Sequence, residues 1–133
     1  MRRFGMHIPW VALVGLTACA PDQPASGAKL YRDNCVACHG LSGTGAGPLA
    51  ADLPVAAADL TGLSARNGGE FPWVHVMATI HGYHGQDTQR LMPGFEAVLT
   101  GPTILWQAPD GSTIPTPQAL LSLARYVETL QAS

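Results

Sequence analysis

Apolar residues recur at helical spacing in two stretches of this chain. Trp73, Val76, Met77 and Ile80 fall at i, i+3, i+4 and i+7, a single stripe that predicts a helix over 72–81. Gly82 and Gly85 end it. Leu120, Leu123, Ala124, Val127 and Leu130 make the buried stripe of a last helix, with Thr116 as its cap and Pro117 in its first turn. A shorter helix over 27–34 starts from Ser26, whose hydroxyl can accept a free first-turn N–H. Ile104-Leu105-Trp106 and Ser112-Thr113-Ile114 flank Pro109-Asp110-Gly111, which predicts a small hairpin. The glycine-rich stretch 40–47 reads as loop, and 60–69 as loop with room for one helical turn.

Between the first helix and that loop lies Cys35-Val36-Ala37-Cys38-His39. This C-x-x-C-H run is the attachment signature of a c-type haem. Two thiols three residues apart can each form a thioether to one porphyrin vinyl group. The next residue then lies under the iron, where His39 can supply an imidazole nitrogen. A thioredoxin-type redox pair would also use C-x-x-C, but it leaves His39 unexplained and expects a strand-rich context. A structural zinc site lacks a second cysteine pair.

The first residues read as an export signal. Arg2 and Arg3 precede an apolar run, 8–18, too short to cross a bilayer. Leu16-Thr17-Ala18-Cys19 resembles the lipobox of bacterial lipoproteins, in which the chain is cut before a cysteine that becomes acylated. On that resemblance 1–18 is removed, Cys19 carries lipid, 19–26 is a polar tether and 27–133 is one domain. The alternative is an ordinary secretory cleavage. Lipidation accounts for the odd cysteine, since the other two serve haem. The remaining chain has Lys29, Arg32, Arg66, Arg90 and Arg125 against nine Asp and Glu. This weakly acidic balance, with no basic patch, gives nucleic-acid binding no support.

From 27 to 130 the chain resembles a bacterial class I, monohaem cytochrome c. That family implies an all-α fold whose N- and C-terminal helices cross around one covalent haem c, here with a hairpin inserted before the last helix. Gly27 and Tyr31, eight and four residues before Cys35, match the family's first-helix pair, and Leu123 and Tyr126 match the facing residues. The resemblance offers the Pro48 carbonyl as the acceptor for the second nitrogen of His39. It also offers Met92, in Met92-Pro93-Gly94-Phe95, as the second axial ligand of the iron. Met77 sits on its own helix stripe and reads as core. His75, His81 and His84 remain alternative ligands. Arg90, Trp73, Trp106 and Tyr83 are candidates for the haem propionates, and the hairpin around Trp106 for shielding the haem edge.

The expected function is one-electron transfer by a carrier, not an enzyme, tethered to a bacterial membrane and facing the periplasm. Its partners would be redox proteins docking at the haem edge, with no small-molecule substrate. The alternatives are an electron-entry subunit of a larger periplasmic oxidoreductase, and a peroxidase or gas sensor with an open iron site, for which His81 or His84 could move protons.

Overall fold

A computed structural model describes residues 26–83 and 91–132. Helix α1 (Gly27–Asn34) begins where expected, with the Ser26 hydroxyl accepting from the Lys29 N–H at 3.3 Å. It runs almost without a break into α2 (Val36–His39), because Cys35 closes one helix and opens the next. A short 3-10 turn (Ala50–Asp52) and α3 (Leu63–Arg66) interrupt a long looped region. Helix α4 (Trp73–His81) follows, and Gly82, at φ +96°, ends it in the left-handed conformation that glycine adopts without strain. Strands β1 (Thr103–Gln107) and β2 (Thr113–Pro117) form the hairpin, and α5 (Gln118–Thr129) completes the fold.

The core lies where α1 crosses α5, with α4 also packed against α5. Gly27 permits the crossing. A Cβ there would overlap the Ser122 carbonyl and stand 2.9 Å from the Tyr126 Cβ. Four residues on, the Tyr31 and Tyr126 rings meet at 5.1 Å and 49°. The α5 stripe is buried as its spacing demands, through Leu120, Leu123, Ala124 and Val127. Val76, Met77 and Ile80 bury the α4 stripe, so Met77 is core, and Trp73 packs half-buried beside them.

The all-α expectation needs qualifying. Most of the chain between α2 and α4 is turn and loop, and the hairpin is a two-stranded antiparallel sheet with Ile104 opposite Thr116 and Trp106 opposite Ile114. The second strand is longer than the pattern indicated, and this changes the start of the last helix. Thr116 is a buried strand residue whose hydroxyl donates to the Ile114 carbonyl, so it does not cap α5. Pro117 precedes the helix and has no side chain able to cap it. The Gln118 N–H is satisfied instead by the Pro102 carbonyl at 2.9 Å.

Candidate haem site

Helical geometry brings the C-x-x-C-H residues onto one turn. The Cys38 and His39 amides both donate to the Cys35 carbonyl, at 3.2 and 2.9 Å. Cys35 and His39 are buried and Cys38 is half-buried. The turn has no room for its own C-terminal carbonyls to be paired within the helix, and the glycine-rich loop supplies the missing donors. Gly45 N–H bonds the His39 carbonyl at 2.9 Å, Gly47 N–H that of Cys38 at 3.0 Å, and Leu49 N–H that of Ala37 at 2.8 Å. A side chain at Gly47 would run into this same backbone.

His39 Nδ1 donates to the Ala58 carbonyl at 2.9 Å. The carbonyl can only accept, so Nδ1 carries the proton and Nε2 keeps its lone pair for a metal. Pro48 does not play this part. Its neighbours Gly47 and Leu49 turn their amides to the Cys38 and Ala37 carbonyls, and the Nδ1–H of the imidazole goes to the Ala58 carbonyl instead. Nothing in the sequence marks Ala58, because a backbone carbonyl belongs to every residue type.

Burial pushes the Cys35 thiol up to about 11, with Cys38 beside it acting in the same direction. A redox-active C-x-x-C pair needs the opposite, a thiolate stabilised near neutral pH. Among the described residues no three His, Cys, Asp or Glu side chains gather into a metal-binding group, which leaves zinc without a ligand set there. A buried Cys35 thiol with half-buried Cys38 on the same turn, beside a tautomer-fixed imidazole, fits a covalently held haem.

Met92 lies half-buried against the apolar cluster that also contains Cys35. Its loop is fastened to the end of α4, where Phe95 N–H bonds the Ile80 carbonyl at 2.9 Å. The two backbones touch at Gly82 and Gly94, and a Cβ on Gly82 would stand 3.1 Å from the Gly94 Cα. His75 is exposed, while His81 stacks on exposed Tyr83 at 3.9 Å and 3°. Trp106 packs on Trp73 at 5.8 Å, and Trp73 meets Phe71 edge-on at 5.0 Å. Cys19, His84, Gly85 and Arg90 lie outside the described residues.

The family model for cytochrome c matches residues 24–131. The chain belongs to the cytochrome c family. It is a class I member by its single haem motif and crossed terminal helices, and haem c is its covalent cofactor. No curated protein and no solved structure matches it. The family makes this cytochrome a haem-based electron carrier in general terms.

Tyr31 was legible only as a packing aromatic. In the structure it is wholly buried, and its hydroxyl donates to the Gly40 carbonyl at 2.8 Å. Desolvation, more than the nearby Cys35 and Tyr126, pushes the phenol up to about 12. The unfolded chain therefore loses this proton first, near the ordinary value of 10. Stability is complete below about pH 10 and falls as pH rises toward 12. Alkaline unfolding of the holoprotein is expected to show this slope, and Tyr31→Phe to flatten it. An unchanged slope between pH 10 and 12 would mean that another group controls alkaline unfolding.

Proposed function

We propose that this cytochrome is a membrane-tethered periplasmic electron carrier whose haem iron is held by His39 and Met92. The observation that carries the reading is the His39 imidazole, fixed through Nδ1 by the Ala58 carbonyl on the turn that presents both cysteines. Haem supplies one iron that gains and loses a single electron. The chain supplies the restraint. Cys35 and Cys38 hold the group covalently, so it is not lost outside the cytoplasm. His39 cannot rotate without breaking its bond to Ala58. Met92, a soft neutral donor, favours the ferrous state and raises the potential. With His39 and Met92 both bound to it, the iron would offer no site to a substrate and would keep its ligands on electron arrival. The lipobox-like Leu16-Thr17-Ala18-Cys19 supports a lipid tether, with acyl chains on Cys19 confining the carrier near its redox-protein partners.

The test is a redox titration with optical detection on holoprotein from a host that matures c-type cytochromes. One haem per chain, a thioether charge-transfer band in the ferric form and no rapid binding of carbon monoxide to the ferrous form are expected. Rapid carbon monoxide binding would refute the closed-site carrier and support the open-site enzyme or sensor. In the same host, mass spectrometry of the mature N-terminus should find Cys19 as the first residue and acylated. An unacylated Cys19, or a chain cut elsewhere, would remove the lipid tether from the account.

A further inference from the structure

The bond between His39 and Ala58 joins the end of α2 to the loop 57–60, which lies against the glycine-rich stretch 40–47. Two side chains, one on α1 and one just past α5, fasten these loops. Tyr31 of α1 donates its hydroxyl to the Gly40 carbonyl at 2.8 Å, one residue after His39. Gly43 N–H reaches that same carbonyl at 3.3 Å, and the Gly43 carbonyl accepts from Leu60 N–H at 2.7 Å. The two stretches are therefore pinned together two residues beyond Ala58. From the other side comes Gln131, just past the end of α5. Its Nε2 donates to the Leu60 carbonyl at 2.8 Å and to that of Val127 at 3.0 Å. Its Oε1 accepts from Ser64 N–H at 2.9 Å. One carboxamide thus ties the last helix to both sides of the turn that follows Ala58.

We propose that Tyr31 and Gln131 are positioning residues for His39, holding the Ala58 carbonyl against Nδ1 and so setting how strongly the imidazole donates to iron. The inference rests on His39 as the proximal ligand. An imidazole whose Nδ1–H is hydrogen-bonded is the more basic ligand, and a more basic ligand stabilises ferric iron. Loosening either support lengthens that bond, weakens donation and raises the potential.

A purely structural role for the two residues makes a different prediction, and Ser26→Ala provides the comparison. It removes the α1 cap, lowering stability without touching the loops around His39. With His39 and Met92 both bound, as proposed, ferrous haem is low-spin and diamagnetic, so the His39 Nδ1–H can be followed by proton–nitrogen NMR alongside the reduction potential. Tyr31→Phe and Gln131→Leu should each speed solvent exchange of that proton several-fold and shift the potential upward. Ser26→Ala should change neither. If Tyr31→Phe and Gln131→Leu lower the unfolding temperature yet leave exchange and potential at parental values, the positioning role is overturned while His39 stays the ligand. If His39 in the parent lacks the ring-current shifts of an imidazole bound over a porphyrin, the ligand assignment fails and the inference fails with it.

Discussion

Gly27→Val is expected to yield little or no folded holoprotein. The position faces the Ser122 carbonyl at the α1–α5 crossing, where even one added carbon overlaps backbone. Backbone cannot rotate aside as a flexible side chain can, so the helices must separate. Separation would also open the Tyr31–Tyr126 contact and uncover Leu123, both largely lost from solvent in the native fold. Overpacking a core costs about 1–3 kcal/mol when neighbours can adjust, and more when they cannot. A domain of this size has roughly 5–15 kcal/mol in all. Gly27→Ala, the milder change, should therefore cost at least on the order of 3 kcal/mol by denaturant unfolding. Gly68 is the comparator, because an added Cβ there touches nothing and only its φ of +72° is strained. Gly68→Ala should cost about 1 kcal/mol. Equal losses at the two sites would contradict the close crossing.

The second large effect is expected at the iron. Met92→Ala should abolish the thioether band and lower the potential by on the order of 0.1–0.3 V, part of the ~0.8 V that axial ligands span. Carbon monoxide should then bind the ferrous protein rapidly, since alanine offers no donor. Folding should be spared more than in the Gly27 variants, because Met92 is only half-buried. A parental spectrum and potential in Met92→Ala would transfer the sixth position to another residue, with the histidines near the end of α4 first to be examined.

The readable part of the sequence was the part governed by periodicity and covalent chemistry. The α4 and α5 stripes, the Ser26 cap and the one-turn spacing of Cys35, Cys38 and His39 follow from local rules, and the structure keeps them. The α1–α5 crossing was legible only through the family resemblance, which set Gly27 and Tyr31 against Leu123 and Tyr126; by itself Gly27 reads equally well as the residue after an N-cap. Thr116 was misleading because a threonine before a proline and an apolar stripe looks like a cap, yet strand pairing with Ile104 took the residue first. Pro48 was misleading for a deeper reason. The carbonyl that His39 meets is a main-chain atom, and loop topology alone decides whose it is. Gln131 carried no signal either, since its partners lie 67 and 71 residues away in a loop without periodicity.

The crossing that buries Cys35 is built from opposite ends of the polypeptide. Synthesis runs from the N-terminus, so residues 27–39 are made before 118–131 exist to pack against them. During that interval the Cys35 sulfur stands in water; a fold that closed over it before haem was attached would desolvate the thiol and hold its proton. Thioether formation thus has a natural deadline, the arrival of the C-terminal helix. A chain that closes early would seal one of its own attachment points, which makes slow long-range docking an asset during maturation.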